Sequence, residues 1–178
     1  MSVAAVVLAA GEATRFGSPK QRLLLPAVLA RLAEASIDEI VVVAGAHTVD
    51  PDLSSPARPL RIVRCVEWSK GPGASLRCGL EALGDDVNPA VVVLADGPDL
   101  APESIDRVLL VWRLAGGIVA ASYGGSRGHP LVIGRELWAD VPDDGLHGRP
   151  AKLVPCDDLG SPGDVDTPDD LPPALSEG

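Results

Sequence analysis

The residues best suited to chemistry stand in one short run, Leu8-Ala9-Ala10-Gly11-Glu12-Ala13-Thr14-Arg15-Phe16-Gly17-Ser18-Pro19-Lys20. Glycine lets a backbone come close to a ligand and turn its N–H groups toward it, and fixed cations neutralise phosphate charge. Gly11, Gly17, Arg15 and Lys20 therefore describe a phosphate-binding loop. The loop fits neither the P-loop pattern G-x-x-x-x-G-K-[ST] nor the dinucleotide turn G-x-G-x-x-G. Its glycines are six apart, and the lysine comes three residues after the second and is followed by Gln21. The plain alternative is a βα turn with two solvated cations.

A second candidate is Asp96, which closes the apolar run Val91-Val92-Val93-Leu94-Ala95 and precedes Gly97-Pro98-Asp99. A carboxylate at the carboxyl end of a buried strand suits a hard divalent cation shared with phosphate oxygens. Asp is also a common turn cap, so that role stays open. In Gly163-Asp164-Val165-Asp166-Thr167-Pro168-Asp169-Asp170-Leu171, Thr167 reads as a helix N-cap, with Pro168 first and Asp170 third in the helix. Asp164 reads as solvated, with a metal contact as the alternative. The stretch Trp68 to Leu80 is a loop entering a helix N-terminus, whose free N–H groups suit anionic or carbonyl oxygens. Ser75 either contacts such a ligand or caps its own helix. In Arg127-Gly128-His129-Pro130-Leu131, the proline forces His129 into an extended conformation. His47 and His147 stand in no usable motif.

Four of these segments, in order along nearly the whole chain, resemble the MobA-like nucleotidyltransferases. Those enzymes load CTP or GTP onto molybdopterin, and their superfamily makes nucleotide sugars. Residues 8–20 match L-A-[AG]-G-x-x-x-R-x-G-x-x-K, residues 68–79 match W-x-x-G-x-x-x-S-[LIV]-x-x-G, residues 94–98 match L-A-D-x-P, and residues 164–171 match D-[IV]-D-T-P-[ED]-D-L. The G-H-P turn at 128–130 is also similar.

The resemblance implies Mg²⁺-dependent attack of an acceptor phosphate on the α-phosphorus of a nucleoside triphosphate, with pyrophosphate leaving. It implies a nucleotide site of Leu8, Ala9, Ala10, Gly11, Arg15, Lys20, Ser75 and Asp96. Of these, Arg15, Lys20 and Asp96 are the catalytic set, and Arg15 and Lys20 take the β- and γ-phosphates. Asp96 and Asp166 would hold Mg²⁺, and His129 would border the acceptor. Ala10 in L-A-A-G implies CTP over GTP. The implied partners are a nucleoside triphosphate, a phosphorylated acceptor with molybdopterin foremost, and a molybdoenzyme or chaperone. A sugar phosphate or phospholactate acceptor, or a non-catalytic nucleotide-binding accessory protein, are the alternatives. The missing G-x-G-x-x-G argues against a dinucleotide-dependent oxidoreductase. A phosphate monoester is largely a dianion at neutral pH and needs no general base.

Three departures touch the acceptor side. Relatives carry about eight to ten further residues after the motif lysine, so a short first helix is expected. Gly97 stands where the cytidylyltransferases often have Gln. The family's G-D-x-G-A-R segment survives only as Asp143-Asp144-Gly145-Leu146-His147-Gly148-Arg149.

The elements that must position these residues alternate in a βαβα rhythm. Strands are expected at 3–9, 39–44, 61–65, 90–94 and 117–121, and helices at 27–35, 74–83, 102–114 and 135–140. Residues 124–128 and 140–152 read as connections. This is an α/β chain, three-layer α/β/α with a mostly parallel central sheet, and the resemblance makes it a Rossmann-like nucleotidyltransferase (GT-A-like) fold. The expected organisation is one domain over 1–171 with a disordered tail at 172–178. The core must be aliphatic, because aromatics are only 3% of the 178 residues. The formal net charge of −10 argues against nucleic acid or anionic membrane as partners. Cys65, Cys78 and Cys156 read as small buried hydrophobes in a reducing cytosol, with no disulfide or zinc pattern. No signal peptide or membrane span fits, so a cytoplasmic location is expected.

Overall fold

The structure is a computed structural model, and it describes residues 1–11, 20–49, 56–163 and 168–170. Its elements are β1 (Ser2–Ala9), α1 (Lys20–Glu34), β2 (Glu39–Ala44), β3 (Leu60–Arg64), α2 (Pro72–Glu81), β4 (Val87–Leu94), α3 (Pro102–Ala115), β5 (Ile118–Tyr123), β6 (Ser126–Ile133) and β7 (Lys152–Pro155). Short 3₁₀ turns lie at Trp68–Lys70, Arg135–Asp140, Asp157–Leu159 and Pro168–Asp170.

Among the described residues the strands form one sheet in the order β3-β2-β1-β4-β6-β5-β7. β1 pairs in parallel with β2 and β4, β2 with β3, and β5 with β7, whereas β6 is antiparallel to both β4 and β5. The central strands β1 and β2 are buried on both faces, which is why they read as nearly unbroken apolar runs. Alternate residues serve opposite layers. Ala5, Val7 and Ala9 of β1 join α1 and α3, while Ala4 and Val6 join α2 and the 3₁₀ turn at 135–140. The parallel strands β1, β2 and β4 end on one rim, where such sheets bind ligands.

Packing decided several features that the sequence pattern left open or placed differently. α1 is not short: it spans fifteen residues and runs through Pro26. A proline inside a helix costs about 3 kcal/mol, but Leu24, Leu25, Val28 and Leu32 are fully buried, and that burial holds the helix together. The segment missing after Lys20 therefore does not shorten the helix. The 135–140 segment is 3₁₀ rather than α.

The connection expected at 124–128 is mostly strand. Gly124 (φ 58) and Gly125 (φ 78) make a two-residue turn between Tyr123 and Ser126, and β6 begins at once. Positive φ at both central residues is what a tight hairpin turn demands. β6 and β7 were absent from the expected strands because each is partly exposed and punctuated by Gly or Pro.

The cysteine expectation also fails, because Cys65 and Cys78 form a disulfide, with Cα atoms 5.7 Å apart. Their separation of 13 residues gives no local signal. Only the packing of α2 against the ends of β2 and β3 brings them together. The bond removes the argument from reduced thiols to a reducing compartment. Cys156 is a free, buried thiol, as expected. Among the described residues no helix is long and apolar enough to cross a membrane.

Candidate active site

Three segments distant in sequence meet at the carboxyl rim. Leu8 at the end of β1 accepts a hydrogen bond from the Ala95 N–H at 3.1 Å, so the Asp96 turn sits directly beside the start of the glycine-containing run. On its other side the run is held by Ala46, whose N–H donates to the Ala10 carbonyl at 3.4 Å. The chain then returns to the Asp96 turn much later. The Asp99 N–H donates to the Pro162 carbonyl at 3.0 Å, and a Cβ built on Gly97 would stand 3.0 Å from Pro162 Cβ. A Cβ on Gly163 would be 3.5 Å from Asp99 Oδ2. Asp96 itself is partly buried.

The base of α2 closes one side. Its N-cap is Gly71, at φ 138, and no side chain caps it. Ser75 is buried at 3% exposure inside the first turn, so the capping role open at the sequence level falls to Gly71 instead. Trp68 packs on Gly45 and Ala10: a Cβ on Gly45 would lie 2.7 Å from Trp68 Cβ and 2.8 Å from Ala10 Cβ. Gly45 thus lets the indole reach the end of β1. Opposite, the Gly73 N–H donates to the Asp143 carbonyl at 2.9 Å, and Arg77 Nη1 donates to the Val141 carbonyl at 2.6 Å. These bonds dock the 141–147 loop, the remnant of G-D-x-G-A-R, onto α2.

Two cavities open at this rim on opposite faces of the sheet. One, of about 320 Å³, has Leu8, Leu76, Val92, Leu94 and Leu131 on its walls and the 144–147 loop at its edge. The other, of about 330 Å³, lies beside Gly97, Leu100, Tyr123 and Pro162–Gly163. They share Leu94 and Arg127-Gly128-His129 as a partition.

The partition is held from below by Tyr123, whose hydroxyl donates to the His129 carbonyl at 2.9 Å. Gly128 is required there, since a Cβ would meet the Tyr123 ring at 3.0 Å. Burial, and then Cys156, push the Tyr123 hydroxyl up to about 12, so it stays protonated and donating. The His129 imidazole is pushed down to about 4, first by burial and then by Arg127, with Asp96 opposing. His129 is therefore neutral at physiological pH and close enough to Asp96 to feel its charge.

Of the residues expected from the sequence, Leu8, Ala9, Ala10, Asp96 and His129 come together at this rim, with Gly11 following Ala10. Ser75 is on the adjacent helix turn, but Pro72 and Leu76 rather than Ser75 line the cavity. Lys20 opens α1. Arg15 and Asp166, like Asp164, Thr167 and the 172–178 tail, lie outside the described residues, as does the Lys20 side chain. Sequence reasoning passed over Arg127, Tyr123 and Trp68. Arg127 and Trp68 stood inside quoted motifs, but Tyr123 carried no signal of its own.

Among the described residues no group of three or more His, Cys, Asp or Glu gathers to hold a metal. Magnesium is commonly held by one or two carboxylates, waters and substrate phosphates rather than by a protein cage. An oxygen donor such as Asp96 on a ligand-facing rim fits that pattern.

The sequence and the fold both have relatives among known proteins. Nicotine blue oxidoreductase of Paenarthrobacter nicotinovorans is 32% identical over 93% of this chain and 92% of its own length. The crystal structure of Rv0371c from Mycobacterium tuberculosis H37Rv superposes with a TM-score of 0.74 at 28% identity, covering 100% of this chain and 99% of that one. A structure of the same mycobacterial protein in complex with manganese gives a TM-score of 0.70 at 25% identity, covering 100% and 99%. Residues 5–153 match the family described as the MobA-like NTP transferase domain. A mostly parallel α/β sheet with its ligand rim at the ends of β1 and β4, and a sequence match over that span, make this chain a member of the MobA-like NTP transferase family.

Proposed function

We propose that this chain is a divalent-metal-dependent nucleotidyltransferase that moves a nucleoside monophosphate from a triphosphate to a phosphorylated small molecule, with pyrophosphate leaving. The observation that carries the reading is the meeting of Leu8, the Asp96 turn and Pro162–Gly163 at one rim. Asp166 stands three residues after Gly163 in the sequence and is the second carboxylate of this proposal.

The backbone of Ala9–Gly11 reads the base edge, with Trp68 and the first turn of α2 beside it. Ala10 favours CTP, and molybdopterin is the foremost acceptor. Arg15 and Lys20 take the charge of the leaving pyrophosphate. Asp96 and Asp166 hold the cation, magnesium or manganese. When bound, it withdraws charge from the phosphate oxygens at the reacting phosphorus. No residue has to remove a proton, because the acceptor phosphate is already a dianion. A neutral His129 suits that scheme, since it adds hydrogen-bonding capacity at the acceptor wall without trapping the nucleophile in a salt bridge. The fold's contribution is positioning and charge neutralisation, which dominate phosphoryl-type transfers.

The test is a panel of nucleoside triphosphates against molybdopterin, sugar phosphates and 2-phospholactate, with and without Mg²⁺ or Mn²⁺, read by mass spectrometry and pyrophosphate release. A nucleotide–acceptor product that needs the metal is expected. Binding of triphosphate without any product across the panel would instead identify a non-catalytic nucleotide-binding protein.

A second reading is favoured by one observation, the relative named nicotine blue oxidoreductase, which aligns along nearly its full length. Under it the apolar cavity beside Leu94 holds a nicotine blue-like dye, and a two-electron reductant supplied from outside the chain reduces it. Reductant consumption with nicotine blue, and no product in the transfer panel, would establish that reading and overturn the first.

A further inference from the structure

Arg127 is the feature that neither reading uses. Its side chain forms part of the partition between the two cavities. Nη1 donates to the Arg149 carbonyl at 2.8 Å. Nη2 is buried and has no hydrogen-bond partner among the described residues. Burial lowers the guanidinium's pKa, and no carboxylate among the described residues acts to restore it.

Other arginines of the fold are settled differently. Arg107 makes a two-pronged pair with Asp158 at 2.7 and 2.9 Å. Arg135 is anchored on the carbonyls of Gly84 and Val87, on Asp85 and over the Trp138 ring. A partly buried guanidinium whose Nη2 is buried and unused is unfavourable until an acceptor arrives. Beside it the 320 Å³ cavity offers aliphatic walls at Leu76, Val92, Leu94, Leu131 and Leu146.

We infer that Arg127 is an anion-recognition residue, and that its ligand is a small amphiphile with an apolar body in this cavity and one oxyanion, phosphate or carboxylate, on the free guanidinium edge. That this ligand is the acceptor rests on the nucleotidyltransferase reading, in which Arg15 and Lys20 already take the triphosphate tail. A planar donor fork matches such an oxyanion with two parallel hydrogen bonds.

The probe is phenyl phosphate, measured by calorimetry on the full chain against benzyl alcohol and inorganic phosphate, with wild type, Arg127→Met and Arg127→Lys. Wild type binds phenyl phosphate more tightly than either fragment. Arg127→Met weakens it about tenfold or more, Arg127→Lys retains part of the affinity, and benzyl alcohol binding is unchanged. Arg127→Met melts no lower than wild type, because removing the buried, unpartnered Nη2 offsets the loss of the Arg149 hydrogen bond. Phenyl phosphate that fails to bind wild type, or binds Arg127→Met equally well, overturns the inference. So does a variant that melts lower with the probe's affinity intact, which marks a purely structural arginine.

Mg²⁺·CTP titrated into the same proteins separates the two ideas. Probe binding that depends on Arg127 in a protein that ignores Mg²⁺·CTP keeps the anion site and discards the nucleotide reading. The reverse pattern keeps the nucleotide reading and discards the anion site. Benzoate in place of phenyl phosphate distinguishes carboxylate from phosphate ligands.

Discussion

Gly73→Ala tests whether the cavity wall depends on the close docking of the 141–147 loop onto α2. A Cβ at Gly73 would lie 1.6 Å from the Pro142 carbonyl oxygen and 2.8 Å from the Gly145 nitrogen. Real contacts of this kind stop near 3.0 Å, so something must move by at least the difference, 1.4 Å. The helix cannot yield easily. Leu76 and Leu80 are buried beneath it, and Gly79 already brings it to where a Cβ would be 2.5 Å from Val6.

The loop therefore moves, and it gives up the Gly73–Asp143 and Arg77–Val141 hydrogen bonds, about 1 kcal/mol each. Residual overpacking adds about 1–2 kcal/mol, and alanine's better helix propensity returns about 1 kcal/mol. The net loss is about 2–3 kcal/mol, a fall of about 4–12 °C in Tm for a chain of this size. The same shift displaces Asp144–His147 at the cavity edge and weakens any ligand held there, since a misplacement of about 1 Å can cost 100-fold in rate.

Urea unfolding followed by circular dichroism gives the stability, and turnover in the transfer panel gives the function. Gly148→Ala is the control, because a Cβ there meets nothing within 4 Å on the same loop. If Gly73→Ala were as stable and active as Gly148→Ala, the docking account of this wall would be wrong.

Asp96→Asn keeps the shape of the rim but removes the charge, and is expected to cut metal-dependent turnover by about 100-fold or more with an unchanged melting curve; wild-type turnover refutes the metal role. The folded pKa of His129, about 4, lies below that of a free imidazole. Between about pH 6.5 and 4 the unfolded chain thus binds more protons, and stability falls as pH drops through that window. With chelator present, wild type is expected to lose up to about 3 kcal/mol there, and His129→Gln markedly less; parallel stability–pH curves would refute the neutral ring. Cys78→Ser opens a loop of 13 residues between β3 and α2 and is expected to cost about 3 kcal/mol by chain entropy. Non-reducing mass spectrometry of the wild type checks the bond, and equal urea midpoints with and without reductant would argue against its weight.

The sequence alone determined the class of fold and singled out the strand-end residues on which the proposed site is built. β1, β2 and β4 are continuous valine-rich runs because strands buried on both faces need no polar alternation, and periodicity therefore found them. Gly11 and Asp96 stood out because glycine and carboxylate are residue types that a buried strand would not choose. What escaped was everything set by contact between distant segments. β6 and β7 exist because neighbouring strands offer them backbone partners, β4 and β5 for β6 and β5 for β7, not because their own sequences insist on strand. Pro26 sits inside α1 because buried leucines on either side outweigh its local cost. The Cys65–Cys78 bond, the docking of the 141–147 loop onto Gly73 and the unsatisfied edge of Arg127 likewise depend on which surfaces meet. Local propensity is written residue by residue, but burial and pairing belong to two segments at once, and only the tertiary structure decides them.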